Sequence, residues 1–464
     1  MMQSLNHLIK AVVPALLFTA TMAVAQLPES PLELELAEYQ DNLAALESDY
    51  GYSDPALLET LDAIAARLME LGQFAAAHSA LDRAQQLVRY QEGLYSLSQL
   101  PYIHRKIQNW TAAGNWADAR TLQDHLFWLY TERYPYRDPE LIAGLMQGVE
   151  YHLQGVLADD PEYSGYHYRA AAIHSRIALH VGETIWAPND RRLAPLYYDQ
   201  MRHAYLSALA IRRGGPAGTS LRSRATVYGY DTANGFMLDE EVAIGLHRAT
   251  GFRYLEQLKF LFNHPLSADP EAAAMVTLYE ADWQVLFRRY DEALANYARA
   301  SEELIAAGVA PEQVDKLLAN PVLIPEAEFH TSVDAALGGR NSQVSEYLGS
   351  TQALPMRMSF NLPSTVTLAS IPEFVDDLGL VEDDATVFVF RLPGEEGLRR
   401  SFWQPRHYSL GAAQDIQLLD QGLSDFGQQE ELMENLSWLR FRPSFNNGGL
   451  TAVQGILGYM FRGN

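Results

Sequence analysis

The sequence predicts a mainly α protein in which a helical-hairpin solenoid is followed by a smaller region of strands and helix. Three observations carry that expectation. Helical periodicity recurs from Leu34 to about Glu326, a helix–turn–helix unit returns within it, and beyond Glu326 the pattern shifts to the short alternation of strands.

The hairpin unit is clearest at Leu61, Ile64 and Leu68, which share one helical face, followed by Leu71-Gly72-Gln73-Phe74 and then Ala77, Leu81 and Ala84. Small Ala65, Ala77 and Ala84 fall where two helices must approach closely, and Gly72 ends the first helix. The turn returns 42 residues later as Ala113-Gly114-Asn115-Trp116 with Ala119, but Gln123 and Leu126 replace the large residue and the second alanine. A third second helix runs from Tyr290 through Ala293 and Tyr297 to Ala300, and its turn, Phe287-Arg288-Arg289, lacks the glycine. Between these copies, 139–157, 166–182, 193–213 and 240–262 read as helices without a repeat signature. This pattern of small residue, glycine turn, aromatic, then alanine, large residue and alanine resembles the tetratricopeptide repeat. Stacked hairpins of that kind present a concave surface to an extended peptide or a partner helix.

Composition narrows the function classes. At 464 residues the chain exceeds a single core, so two or more packed units are expected. A formal charge of −24 argues against nucleic acid as a partner, because phosphate neutralisation needs a basic surface. The absence of cysteine removes disulfides, thiolate metal sites and a cysteine nucleophile. Residues 1–25 place Lys10 before a short apolar run and end in Ala23-Val24-Ala25, the pattern of a secretory signal cleaved after Ala25. The expectation is a periplasmic product with no stable membrane insertion after cleavage.

Within this acidic chain, 183–225 holds seven arginines against three acids, a local +4. Arg212, Arg213, Arg222 and Arg224 lie in or beside a Gly/Ser/Arg loop and are the candidates for an anionic partner, since arginine forks suit carboxylate or phosphate. The competing reading is a solvated loop whose arginines pair with nearby acids. His152, His167, His174 and His180 form the densest histidine group, and His167 and His174 at i, i+7 share a helical face. Crowding by Tyr151, Tyr163, Tyr166 and Tyr168 reads as aromatic packing, against the alternative of an enzyme with a histidine metal site. Neither H-E-x-x-H nor G-x-S-x-G occurs, so no catalytic residue, metal ligand or cofactor is assigned.

Toward the C terminus, 358–360 and 366–368 alternate as short strands. Residues 385–391, a glycine turn and 398–403 then read as a strand and its return, 429–436 as a helix, and 453–461 as a last strand. Trp438, Arg440, Phe441, Arg442 and Pro443 after that helix, the Gly448 turn and the Tyr459-Met460-Phe461 ending resemble the C-terminal domain of the TonB energy-transducing family. The resemblance covers 385–464 and implies a small α+β domain with a three-stranded antiparallel sheet, which in that family meets other envelope proteins, often by strand pairing. Trp438, Arg440, Phe441 and Pro443 are expected to be structural. Where that family's transducers keep a membrane anchor and a proline-rich spacer, this chain has a signal and a helical array.

The organisation expected is therefore a signal at 1–25, a tetratricopeptide-like array over 34–326, a connecting region with short strands over 327–384 and the α+β domain over 385–464. The function expected is a non-enzymatic scaffold that holds an envelope protein or peptide on the array, with the terminal sheet edge as a second contact. The alternative is a TonB-type transport accessory anchored through residues 11–25.

Overall fold

A helix that must reverse into another needs one residue in the left-handed region, and the same turn recurs along the array. In the computed structural model Gly72 and Gly114 have φ of 71° and 72°, and the next amide closes the turn: Gln73 N to Leu68 O at 2.8 Å and Asn115 N to Trp110 O at 2.8 Å. The copy without a glycine folds identically. Arg288 takes φ 61°, and Arg289 N bonds Gln284 O at 2.8 Å. Two residues after each of these positions a helix begins, at Phe74, Trp116 and Tyr290, so the three copies are in structural register.

The structure describes residues 30–223, 237–339, 353–360, 386–395, 410–420 and 424–461. The signal segment 1–25 and the strands read at 366–368 and 398–403 lie outside them. Two compact units divide the chain between Arg105 and Lys106. In the first, α1 (Pro31–Tyr50) is started by a capping box between Ser30 and Glu33, and α2 (Leu57–Glu70) packs on α3 (Phe74–Glu92). Leu57, Leu61, Ala65, Ala77, Leu81 and Ala84 are at most 2% exposed, so the repeat face read from the sequence is the core. Helix α4 (Leu100–Ala112) spans the division.

The second unit continues with α5 (Trp116–Arg133), α6 (Pro139–Ala158), α7 (Ser164–Ile185), α8 (Leu193–Arg213), α9 (Gly215–Arg222), α10 (Glu240–Asn263), α11 (Pro270–Leu286), α12 (Tyr290–Ala306) and α13 (Pro311–Ala319). Aspartates cap α6, α10 and α11, and proline occupies the first turn of α6 and α11. The four unsigned helices fall within a few residues of their expected bounds. Helix α9 differs: the stretch read as a loop is a helix, with Pro216 in its first turn. Helices α8 and α11 are buried on nearly every side, α11 from Ala272 to Leu286 with one gap at Gln284, and they form the interior around which the others pack.

Beyond β1 (Leu323–Ile324) and α14 (Val333–Gly339), the α+β portion holds β2 (Ala353–Phe360), β3 (Thr386–Leu392), β4 (Gln414–Asp420), α15 (Phe426–Trp438), β5 (Arg440–Phe441), β6 (Ser444–Asn446), β7 (Gly449–Thr451) and β8 (Val453–Phe461). Of the expected strands, 385–391 and 453–461 are β3 and β8, which pair antiparallel, and with β2 and β4 they form a four-stranded sheet in the order β2-β8-β3-β4. Thr386 faces Tyr459 and Val389 faces Ile456 in the central pair. The partner of β3 on its other side is β4, a strand the sequence did not predict.

One buried ion cluster ties this portion to the array. Arg442, fully buried, donates from Nε to Asp282 Oδ1 at 2.9 Å and from Nη2 to Asp282 Oδ2 and Glu326 Oε1, both at 2.5 Å. Tyr297 donates to Asp282 Oδ1 at 2.7 Å, and Arg442 N donates to Val322 O at 2.8 Å. The short β1–β5 pair, Leu323 with Phe441 and Ile324 with Arg440, continues the seam.

Two stability measurements follow from these geometries. Arg442→Met leaves two carboxylates buried without their counter-charge, and a loss of about 3–5 kcal/mol is expected as a lower thermal midpoint of the second unit. Arg288→Gly relieves a left-handed non-glycine residue and is expected to raise that midpoint, by about 1 kcal/mol.

Candidate functional site

Among the described residues, the arginines singled out from the sequence make separate contacts. Arg212 donates to Leu286 O at 3.3 Å and lies over Phe287, 5.8 Å from the ring centre. Arg222 donates to Leu238 O at 2.9 Å, and Arg224 lies outside the described residues. Other arginines of the same stretch pair with acids: Arg191 with Asp269 at 3.0 Å and Arg192 with Asp190 at 2.6 Å. Arg213 lines a cavity.

That cavity, about 270 Å³, lies between α6, α7 and the α8–α9 junction on one side and α15 on the other. Gly214, with φ 78°, ends α8 and turns the chain into α9, leaving the Arg213 side chain at the rim. Its Nη2 donates to Asn435 Oδ1 at 2.6 Å, and its guanidinium lies 5.9 Å from the Trp438 ring centre. Asn435 is 5% exposed, so the amide that holds Arg213 is itself fixed. Leu157, Leu209 and Ala217 supply apolar wall, while Glu431 and Glu434 add negative charge from α15. The structure thus joins Arg213 and Trp438, which the sequence placed in separate groups. Asn435, Glu431 and Glu434 were missed because more than 200 residues separate them from Arg213 and no local pattern links them.

The remaining motif residues have interior places. Arg440 caps the end of α15, donating to Ser437 O at 2.8 Å and Leu439 O at 2.7 Å. Phe441 stacks on Phe390 at 5.1 Å, and Pro443 is buried. Arg442 forms the ion cluster described above.

Three of the four histidines meet in the core between α6 and α7, and His180 is exposed. His152 Nδ1 and His167 Nδ1 are 3.1 Å apart, and His167 Nε2 is 2.9 Å from Asp159 Oδ2, which also accepts from Arg120. One proton arrangement fits the neutral rings. His167 Nε2–H donates to Asp159, and His152 Nδ1–H donates to the freed His167 Nδ1. His174 stacks on Phe127 at 4.4 Å. Gly148 and Gly155 make the room, because a Cβ at either would overlap the His174 or His167 ring. Gln123 is buried beside them, lining with His152 and His174 a cavity of about 10 Å³, roughly the space of one water. Among the described residues no group of three or more histidine and carboxylate side chains is placed to hold a metal ion.

A second polar group brings Ser175, Asp199, Gln200 and His203 together. The Ser175 hydroxyl donates to Asp199 and not to an imidazole, while His203 Nε2 stands 3.2 Å from the same carboxylate. The Ser175 hydroxyl thus meets a carboxylate and no imidazole among the described residues. Burial opposes ionisation of Asp199, but His203, Arg202 and Ser175 outweigh it and hold the carboxyl down at about 2.

Burial sets the protonation of the histidine core. It pushes His174 down to about 4 and His152 well below the usual imidazole range, the latter reinforced by its two neighbours. His167 is also lowered by burial, with Asp159 opposing. The unfolded chain takes up a proton at each ring near pH 6.5 and the folded chain does not, so stability is full above that pH and falls as pH drops toward 4. Between pH 7.5 and 5, His174 alone is expected to account for about 2 kcal/mol in chemical denaturation. His174→Phe, which keeps the stack on Phe127, is expected to flatten the pH dependence by that amount.

No protein-family model matches this chain, and neither does any curated protein.

Proposed function

We propose that the chain is an exported, non-enzymatic scaffold of the cell envelope that binds a protein or peptide partner. The observation that carries this reading is the cleft at Arg213 and Trp438, where the helical array and α15 present one surface with apolar, cationic and anionic groups. The recurrence of one turn geometry at Gly72, Gly114 and Arg288 supports the resemblance to tetratricopeptide hairpins. Likewise the order of β3, β4, α15 and β8 supports the resemblance to the TonB C-terminal domain, and β4, at one end of the sheet, is the strand suited to pairing with a partner. Export rests on the signal pattern of residues 1–25. Among the described residues no helix is long and apolar enough to cross a membrane.

Purification from the envelope tests the reading in two measurements. The mature protein is expected to begin at Gln26, and the immobilised full chain is expected to retain a specific envelope protein. A product that keeps Met1 and sediments with membranes favours the anchored accessory. A chain that retains nothing overturns the scaffold.

A further inference from the structure

We propose that the cleft at Arg213 takes a short internal segment of a partner protein carrying both charge signs, with an acidic side chain on Arg213, an apolar side chain against Trp438 and a basic side chain on the Glu434 side. This rests on the scaffold reading and names what its cleft recognises.

Charge and shape select the occupant. Arg213 is anchored through one nitrogen to buried Asn435, which orients the guanidinium and leaves its other N–H donors without a protein acceptor among the described residues. Those donors suit a carboxylate. Glu431 and Glu434 lie one helical turn apart on α15 and line the same cavity, so the lining carries both signs of charge. A purely anionic ligand is repelled by the glutamates, and a purely cationic one meets Arg213. A segment with both signs matches each wall. Between the charged groups run Val156, Leu157, Leu209, Ala217 and the Trp438 ring, which give an apolar side chain a place to leave water. At about 270 Å³ the cleft is near the lower end of the ~300–1,000 Å³ typical of ligand sites, room for a few side chains and too little for a helix.

The test is titration calorimetry on the mature full chain with four blocked tripeptides: acetyl-Glu-Leu-Lys-amide, acetyl-Glu-Leu-Glu-amide, acetyl-Lys-Leu-Lys-amide and acetyl-Gln-Leu-Gln-amide. The mixed-charge peptide is expected to bind at least tenfold more tightly than the others. Arg213→Glu and Glu434→Arg are each expected to weaken it about tenfold, and the double variant, with both charges exchanged, to restore it. Glu434 is exposed, so its variant reports on binding without disturbing the core. Free Glu-Leu-Lys binding better than the blocked form assigns the cleft to a small zwitterion and overturns the segment. Equal affinity for all four peptides, no binding by any, or variants that bind as before also overturn it. A full chain that retains its envelope partner unchanged with Arg213→Glu sinks the cleft proposal while leaving the scaffold standing.

Discussion

Arg442 is the interaction on which the second unit depends. Removing a guanidinium and two carboxylates from water costs several kcal/mol per ion, and only close, hydrogen-bonded geometry offsets it. Here the geometry is a fork on Asp282 with a second carboxylate on Glu326, fenced by the Tyr297 hydroxyl. The three charged groups come from α11, from the segment after β1 and from the segment after β5, 160 and 116 residues apart from Arg442 in the chain. None of these segments can keep its charge buried unless the other two are in place. The helices of the second unit and the α+β portion are consequently coupled through a contact with no partial form of comparable stability.

The repeat supplies one member of that cluster. Leu81, Gln123 and Tyr297 each stand seven residues after the first residue of their helix and are all buried, yet each does something different. Leucine fills the core of the first unit. Glutamine lines a small cavity beside the histidines, and tyrosine reaches Asp282. A position the backbone presents for packing has become, in successive copies, a filler, a polar lining and a hydrogen-bond donor.

Legibility in the sequence followed the range of the interactions. Helices 139–157, 193–213 and 240–262 were legible because helical period is local, and the outer copies of the hairpin because their small residues fall at fixed spacings. Strands β3 and β8 showed through alternation or apolar runs. Strand β4 did not: Gln414-Asp415-Ile416-Gln417 is polar, its Asp415 has φ 51°, and the register with β3 shifts twice. Helix α9 was hidden by glycine-rich composition that propensity assigns to a loop, and tertiary contacts override that preference. The arginines were grouped because they are close in sequence. Where each one goes depends on Leu286, Leu238 and Asn435, which belong to other elements. Asp282 and Glu326 carried no motif at all, since what marks them is a counter-charge more than a hundred residues away.

The sheet order has a temporal side. Strand β8 is the inner strand that both β2 and β3 pair with, and it is the last of the four in the chain. During synthesis from the N terminus, β2 and β3 emerge before the strand that joins them. Until β8 arrives, their main-chain donors and acceptors are open to any other extended segment. That exposure ends only when the final strand pairs with both.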